Sequence, residues 1–405
     1  MPDSENDSTT PSLLILGAST RAAAHSAIRA GLAPVCADLF ADCDLRDCAE
    51  VLEVADYPFG LVAAARGAPP GPWMYTGGIE NHPALVSRIS QSRLLWGNRP
   101  DVLRRARDPW SIQRLLLDAG LPVLRIWPRQ ATPPAIDGQW MLKPVRGAAG
   151  RGIRSWDHHA ITSAALHERH YFQECVVGIS VSAVFIAFPQ ETILLGITRQ
   201  LVGMPEVHAP PFAWCGTITP INLPPPIIAT MNAVGRHLGS VLGLSGLFGC
   251  DFLVDRETAW LTEVNPRYPA AAELVESSQQ IPILDWHRRA CEGFLDSSRR
   301  FAPPAGDLVK ALPRGVAKSV ARPVVGKIVL YAQRDLKAPN ATRFVCRPSS
   351  GQVAASLPYM ADIPLPGQLI SRGQPICTLF ARAPSESECL ARLLRRAARF
   401  ERRIK

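Results

Sequence analysis

Long apolar segments are missing from this sequence. The longest apolar runs, such as Ile179 to Phe188, are about half of the ~20 residues that a membrane-spanning helix requires. The N-terminus, MPDSENDSTTPS, is acidic and has neither the basic start nor the apolar stretch of a secretory signal. We therefore expect a cytoplasmic protein with no membrane contact, in which residues 1–11 form a disordered leader.

Charged residues are also scarce. They make up 20% of the 405 residues, against 47% hydrophobic residues, which is typical of a globular chain with two or three domains. Much of the net charge of +9 comes from the last segment, where the arginines from Arg392 to Arg403 are typical of a solvated helix face. That segment offers only Phe400 for base stacking, so we expect no nucleic-acid partner.

Several site motifs are absent as well. The ten cysteines form no C-x-x-C pair and no framework, which argues against a zinc site or disulfides and favours reduced thiols. A serine hydrolase has no support, because there is no G-x-S-x-G elbow. The adjacent pair His158-His159 points to opposite sides of an extended chain, so we interpret both residues as solvent-exposed.

The first hundred residues have a β-α-β pattern. A strand from Ser12 enters a small-residue turn at Gly17, and a helix over 21–30 and a strand over 33–38 follow. The pattern is similar to a nucleotide-binding half-fold, but the full G-x-G-x-x-G spacing is absent, and we interpret the turn as one that binds no dinucleotide.

A further strand over 73–76 leads to Glu80 and Asn81. Ligand-facing loops usually lie at the carboxyl ends of parallel strands, so both residues are candidates for substrate contact. Simple helix capping is the alternative.

The remaining sequence divides into a central and a C-terminal part. An amphipathic helix over 108–122 precedes short strands and glycine turns, and a second helix over 227–242 precedes a pair of strands over 249–254 and 258–264. The Pro-rich FAPPAGD indicates a linker, after which a strand over 326–332 begins a mainly β unit that ends in an arginine-rich helix.

A strand-borne lysine is followed by a loop with three glycines. Lys143 precedes Gly147, Gly150 and Gly152. Glycines let backbone N–H groups close over phosphate oxygens, while a lysine supplies a point charge. The stretch therefore predicts a phosphate site, although Gly-rich hairpins near a lysine also occur without one.

Three oxygen-bearing side chains lie in apolar strand runs downstream. Asp251 and Glu263 are 12 residues apart, and Asn265 follows two residues later. Side chains alternate along a strand, so Glu263 and Asn265 share a face, and an antiparallel neighbour can bring Asp251 beside them. Such a cluster opposite a phosphate loop suits magnesium, or manganese in its place. A structural salt bridge is the alternative.

In this order the motifs resemble the signature of the ATP-grasp superfamily. The similarity rests on K-P-x-x-G-x-x-G-x-G at Lys143, then Gln173 to Gly178, Asp251, and E-V-N-P-R from Glu263, and it covers roughly residues 100 to 300.

The resemblance implies a role for each motif residue. Lys143 and Arg267 would be catalytic, with Arg267 facing the acyl phosphate or the carboxylate. The nucleotide would be held by Lys143, Gly147, Gly150, Gly152, Gln173, the main chain of Glu174 and Val176, and Ser180 near the ribose; the metal would be held by Asp251, Glu263 and Asn265.

Two departures from the family pattern stand out. Many members carry an Asp-Lys pair before the glycine loop, but this chain has Asp108-Pro109, and Arg105, Arg107 or Arg114 remain as alternatives for the missing charge. The biotin carboxylase branch is expected to have a glutamate base six residues after the asparagine, but this chain has Ala271 there. The Ala-Met-Lys-Met motif of a biotinyl-lysine is also absent. Both facts favour ligation over carboxylation.

We therefore predict an α/β protein with an α+β ATP-grasp body. Its parts are an N-terminal Rossmann-like domain over 12–100, an ATP-grasp domain over 101–300, a linker over 301–325, and a small β-rich C-terminal unit with a basic helix over 326–405. The expected function is ATP- and magnesium-dependent joining of a small-molecule carboxylate to an amine. Bicarbonate activation and a non-catalytic ATP-binding protein are the alternatives, and a homodimer is left open.

The C-terminal unit has a weaker resemblance of its own. Its segments 362–367 and 373–378 are similar to those of ATP-grasp proteins of methanofuran-type cofactor synthesis, including tyramine-glutamate ligases. That similarity implies a role in one-carbon metabolism.

Overall fold

The computed structural model describes residues 11–54, 56–129, 131–157, 169–295, 323–338 and 357–404. Residues 1–10 of the predicted leader, the pair His158-His159 and residues 301–322 of the predicted linker lie outside these ranges. No helix within them is both long and apolar enough to cross a membrane.

The N-terminal region is a parallel sheet with helices around it. Strands β1 to β4 lie in the order β3-β2-β1-β4 and every neighbouring pair is parallel. Residues 13–16 of β1 are fully buried, because a parallel sheet covered by helices has two apolar faces. The strands are β1 Ser12–Gly17, β2 Ala33–Asp38, β3 Glu50–Glu53 and β4 Trp73–Tyr75, and the helices are α1 Arg21–Arg29, α2 Cys43–Arg46, α3 Leu61–Gly67, α4 Pro83–Ser90 and α5 Pro100–Ala106.

The turn after β1 is bonded to the acid that ends β2. Asp38, at the end of β2, accepts hydrogen bonds from the backbone N (2.5 Å) and Oγ1 (2.8 Å) of Thr20. It also accepts bonds from the backbone N atoms of Phe40 and Ala41, at 2.7 and 3.1 Å. The acid that ends β2 is thus engaged both by the turn after β1 and by the loop that follows β2.

The central body is built on an eight-stranded antiparallel sheet. Its order is β12-β11-β8-β9-β10-β13-β17-β15. Along β8, Val181, Ala183 and Phe185 pack with helix α7, while Val184 and Ile186 pack with helix α9, so the two helices cover opposite faces. The strands are β8 Ile179–Ala187, β9 Thr192–Val202, β10 Trp214–Thr219, β11 Gly246–Val254, β12 Ala259–Asn265, β13 Val324–Tyr331, β15 Met360–Ala361 and β17 Pro375–Ala383; the helices are α7 Pro225–Leu242, α8 Ala272–Gln279 and α9 Ile283–Leu295.

A smaller sheet faces the central one. It contains β5 Trp140–Pro144, β6 Arg154–Ser155 and β7 His170–Glu174, in the order β6-β5-β7. Its core consists of Trp140, Leu142, Trp156 and Phe172, with Trp127 packed against them. Helix α6, Pro109–Asp118, lies before it in the chain.

The C-terminal strands extend the central sheet. β13 pairs with β10 and begins at Val324, just ahead of the predicted start at 326. Helix α10, Glu386–Ile404, is the basic terminal helix, and its apolar face packs on these strands through Cys389, Leu393 and Ala397. A two-stranded sheet, β14 Leu336–Lys337 with β16 Leu369–Ile370, completes the region.

One buried group of charges connects all three parts, and we call it the interior cluster. It consists of Arg21, Asp44, Glu273, Lys327 and Asp362. Arg21 Nε bonds Asp362 Oδ1 at 2.9 Å, and its guanidinium also pairs with Glu273. Lys327 Nζ lies 2.8 Å from Glu273 Oε2. Asp44 Oδ2 accepts a hydrogen bond from the backbone N of Asp362 at 3.0 Å. Glu273 therefore lies between two cations from distant parts of the chain.

Candidate active site

A cleft lies between the small sheet and strand β12. It encloses about 710 Å³, part of it open to solvent. Its polar lining includes Arg107, Lys143, Arg151, Gln173 and Glu263, and its apolar lining comes mainly from α6 and residues 123–126. A concave, largely apolar lining with a few polar groups is typical of a small-molecule site.

Lys143 projects from β5 into this cleft. Its Nζ donates to Gln173 Oε1 at 2.9 Å and to the carbonyl of Thr262 at 3.3 Å. Lys143 pairs across the antiparallel β5–β7 ladder with Tyr171, and its Nζ lies 5.9 Å from that ring's centroid. Gln173, predicted as a nucleotide contact, holds the lysine in place in the structure.

The glycine loop continues from Lys143 and packs against residues 212–214. Gly150 and Gly152 have φ of 77° and 79°, a region that L residues with side chains rarely adopt. A Cβ on Gly150 would lie 1.9 Å from the carbonyl oxygen of Phe212. The backbone N of Trp214 donates to Ala149 O at 3.2 Å. Close backbone packing against Phe212 is therefore enough to require glycine at position 150, whether or not the loop binds phosphate.

The three candidate metal ligands meet on the β11–β12 hairpin. The strands are antiparallel, and Asp251 lies opposite Glu263 while Gly249 lies opposite Asn265. Asn265 Nδ2 donates to Asp251 Oδ2 at 2.8 Å, and Gln200 Nε2 donates to Asp251 Oδ1 at 3.0 Å. Gln200 was not among the predicted residues; the only sign of it in the sequence is a polar residue within the apolar strand β9.

The electrostatics of the two acids differ. Burial, reinforced by the charge of Glu263, raises the pKa of Asp251 to about 6. Burial also raises the pKa of Glu263, but the charges of Arg107 and Lys143 outweigh it and hold that pKa below its usual range. A bound cation would relieve the mutual repulsion of the two carboxyl groups.

The donor set fits magnesium better than a softer metal. Among the described residues, no three His, Cys, Asp or Glu side chains gather into a metal-binding group. Asp251, Glu263 and the amide oxygen of Asn265 instead offer two carboxylates and one neutral oxygen. Magnesium is commonly held by one or two carboxylates together with nucleotide phosphates.

Arg267 connects these ligands to the N-terminal region. Its Nη2 donates to Asn265 Oδ1 at 3.1 Å, and its Nε donates to Glu80 Oε1 at 2.9 Å. Glu80 is 1% exposed, and its Oε2 has no hydrogen-bond partner. Asn81 Nδ2 donates to the carbonyl of Gly147 at 3.1 Å. Neither residue caps helix α4, whose N-cap has no side-chain bond.

The predicted adenine and ribose contacts extend from the end of β7, at Glu174, to the start of β8, at Ser180. The backbone N of Glu174 donates to Arg125 O at 2.9 Å, and its carboxylate accepts Arg125 Nε at 3.0 Å. Val176 is half-buried beside Val177, which is 90% exposed. Ser180 Oγ donates to Gln200 Oε1 at 2.6 Å, so Gln200 joins Ser180 to Asp251.

The structure separates the three arginines that the sequence left as alternatives. Arg105 Nη2 donates to the carbonyl of Val241 on α7, and Arg114 is exposed. Arg107 lines the cleft and pairs with Glu263. Pro109 is the first residue of α6.

Comparison with known proteins agrees with this geometry. Residues 106–271 match the family model described as the ATP-grasp domain. A search of curated protein sequences found no match.

Solved structures extend the similarity to almost the whole chain. A pyruvate carboxylase from Rhizobium etli has a TM-score of 0.69 at 16% identity, over 95% of this chain and 37% of that one. L-amino acid ligase from Bacillus licheniformis has a TM-score of 0.66 at 15% identity, over 96% and 97%. The biotin carboxylase domain of Hydrogenobacter thermophilus 2-oxoglutarate carboxylase, in complex with MgADP and bicarbonate, has a TM-score of 0.61 at 14% identity. That match covers 94% of this chain and 88% of the other.

This chain thus spans little more than a third of the pyruvate carboxylase. The identities are low, and the structural likeness establishes the fold. The predicted fold class is confirmed: this is a mixed α and β protein with an ATP-grasp domain.

Proposed function

We propose that this protein is an ATP-dependent ligase that activates a carboxylate as an acyl phosphate and joins it to an amine. The observation that carries the proposal is the run of hydrogen bonds from Glu80 through Arg267 and Asn265 to Asp251. It holds a guanidinium beside the candidate metal ligands, where a carboxylate or acyl phosphate would be bound by a planar fork of donors.

The nucleotide would occupy the cleft. Lys143, Gly147 and Gly150 line the cleft, and Lys143 and the loop amides at Gly147, Gly150 and Gly152 would bind phosphate oxygens. The chain at Glu174 to Ser180 follows the lining residue Gln173 and would bind the nucleoside. Asp251, Glu263 and Asn265 would hold magnesium. When bound, magnesium would neutralise charge on the transferring phosphoryl group.

The reaction would proceed in two steps. A carboxylate oxygen attacks the γ-phosphorus of ATP and the bond to the β–γ bridging oxygen breaks, which yields an acyl phosphate and ADP. The amine nitrogen then attacks the acyl carbon, phosphate leaves with the former carboxylate oxygen, and the nitrogen loses a proton. Lys143 would stabilise charge on the phosphoryl group, and Arg267 would orient the carboxylate.

The finer proposal concerns the substrates. We propose a small acid, such as the amino acid glutamate, and an amine, in the synthesis of a one-carbon carrier cofactor of the methanofuran type. The fork of Arg267 supports a carboxylate substrate, and the fold shared with an L-amino acid ligase suits an amino acid. The resemblance of segments 362–367 and 373–378 to those of ATP-grasp proteins of methanofuran-type cofactor synthesis adds weaker support.

Bicarbonate activation is the second candidate, favoured by the fold shared with biotin carboxylase domains. Against it stands Ala271, which is 5% exposed, belongs to an apolar cluster and has no acid–base group. The proposal also includes a cytoplasmic location, small-molecule partners and assembly as a homodimer.

A non-catalytic ATP-binding protein is the remaining alternative, because Pro109 stands where many family members have a lysine.

The test is a screen of ADP release from ATP and magnesium over amino acids, amines and bicarbonate, with mass spectrometry of the products. The proposal expects ADP release that needs both an acid and an amine, together with an amide. Bicarbonate-dependent ADP release without an amide would support the carboxylase instead. ATP binding without turnover on any pair would support the non-catalytic protein.

A further inference from the structure

Arg107 is placed unlike any other cation of the cleft. It follows helix α5 and is only 11% exposed. Its Nη1 pairs with Glu263 Oε1 and donates to the carbonyl of Val264 at 3.1 Å, while its Nη2 donates to the carbonyl of Gly147 at 2.9 Å. One side chain therefore connects a candidate metal ligand to the glycine loop.

The donors of Arg107 are not fully used. Its Nε is buried and has no hydrogen-bond partner. Lys143 Nζ bonds two protein oxygens and keeps one of its three donors. A guanidinium has five N–H donors in a rigid fork that matches phosphate, so Arg107 has capacity for a further oxygen ligand.

Glu263 has two candidate partners, the Arg107 guanidinium and magnesium, which would share the negative charge of one carboxylate. In the structure Oε1 of Glu263 accepts the Arg107 guanidinium, whereas the proposed site requires that carboxylate for magnesium. The Arg107 guanidinium would be held less strongly by a carboxylate that also bound a cation, and Arg107 already bonds the loop that is proposed to cradle phosphate.

We propose that Arg107 is the phosphate-binding cation that replaces the lysine missing at Pro109, and that it exchanges Glu263 for a phosphate oxygen when magnesium and nucleotide bind. This inference rests on the ATP site of the proposed function. It assigns to one residue both an ion pair with a candidate metal ligand and part of the affinity for the β- and γ-phosphates.

Calorimetry with adenosine, AMP, ADP and ATP in magnesium buffer tests the phosphate contact. Arg107→Gln should weaken ATP and ADP by roughly 10- to 100-fold, the range for a hydrogen bond to a charged group, and leave adenosine within about twofold. Arg107→Lys should lose less, because it keeps the charge. The matched control is Arg105→Gln, since Arg105 bonds Val241 O on α7 and does not line the cleft.

Binding of Mn²⁺ without nucleotide, followed by electron paramagnetic resonance, tests the exchange. Arg107→Gln frees Glu263 and should bind Mn²⁺ at least as tightly as the wild type. Unchanged ATP affinity in the variant, an equal loss for adenosine and ATP, or weaker Mn²⁺ binding would each overturn the inference. If Arg107→Gln does not fold, Arg107→Lys decides by the same two measurements.

Failure of the inference is distinct from failure of the proposed function. A wild-type protein that binds ATP but forms no amide with any acid and amine contradicts the function and leaves the Arg107 result intact. An active ligase whose Arg107→Gln variant binds ATP normally contradicts only the inference.

Discussion

The interior cluster and the cleft both contain carboxylates and cations, but they differ in exposure and in how fully their atoms are hydrogen-bonded. In the interior cluster, Arg21, Glu273 and Lys327 are 2%, 4% and 6% exposed, and both oxygens of Glu273 accept bonds from a cation. In the cleft, Glu263 is 34% exposed and the buried atom Arg107 Nε lacks a partner; beside it, the buried Oε2 of Glu80 lacks one too. The Glu273 carboxylate is fully used by its two cations, whereas the cleft charges keep capacity for a ligand.

The difference separates scaffold from site on physical grounds. A buried charge without a partner is costly, so an interior that serves only folding pairs its charges completely. Incomplete pairing in a cleft is the condition expected of a ligand-binding site. Substitutions in the two groups should therefore affect different quantities.

The largest effect should follow Glu273→Ala in the interior cluster. It leaves Arg21 and Lys327 buried without their shared carboxylate, and we expect a loss of about 3–5 kcal/mol in the free energy of unfolding by urea. Glu388→Ala breaks the half-exposed pair with Arg392 on α10 and should cost less than about 1 kcal/mol. Equal losses for the two variants would remove the distinction between the groups.

The next largest effect should follow Glu263→Gln or Asp251→Asn. A neutral amide cannot supply the carboxylate charge on magnesium, so kcat for ADP release should fall at least about a hundredfold, as when other transition-state charge stabilisers are removed. Neither substitution should unfold the protein, but Glu263→Gln leaves the Arg107 guanidinium, which is 11% exposed, without its carboxylate, so it should lower the unfolding free energy by less than Glu273→Ala but measurably. Retained ATPase activity in either purified variant would remove the metal assignment.

Lys143→Ala and Arg151→Ala sharpen the contrast within the cleft. Lys143 is anchored on β5 by Gln173, whereas Arg151 is exposed in the loop. We expect roughly a 10-fold or greater loss of ATP affinity for Lys143→Ala and a smaller loss for Arg151→Ala, by calorimetry. The same ATP affinity in wild type and Lys143→Ala would contradict the role of the lysine.

The smallest effect concerns Asp42, a buried acid beside the interior cluster. Burial, followed by the charges of Asp362 and Asp44, raises the pKa of Asp42 from 3.8 to about 8. Its protonated form favours the folded state, so this contribution is complete below about pH 4 and is lost as pH rises to about 8. Asp42→Asn should therefore gain about 1 kcal/mol or more relative to wild type between pH 6 and pH 9. A constant difference between the two proteins across that range would show that Asp42 does not titrate there.

The sequence alone predicted the motifs whose residues lie close together in the chain. Alternation on strands and the 12-residue spacing placed Asp251, Glu263 and Asn265 together, and β11 and β12 do pair with Asp251 opposite Glu263. The glycine loop and the strands of the first β-α-β unit likewise depend on neighbours in the chain.

The rest depends on contacts between distant segments. Arg21 and Glu273 are 252 residues apart, and Glu80 and Arg267 are 187 apart, so no periodicity could pair them. For the same reason the sequence could not choose among the arginines near Pro109, or find Gln200. Edge strand β3 was also missed, because EVLE mixes acidic and apolar residues over only four positions.

Transfer of ¹⁸O from the acid tests the central claim most directly. An acid substrate identified in the screen is labelled in both carboxylate oxygens and incubated with ATP, magnesium and the amine. If the carboxylate attacks the γ-phosphorus, each phosphate released should carry one ¹⁸O and the amide should keep the other. Unlabelled phosphate, formed in step with ADP, would mean that water takes the phosphoryl group, and it would contradict the acyl-phosphate ligase.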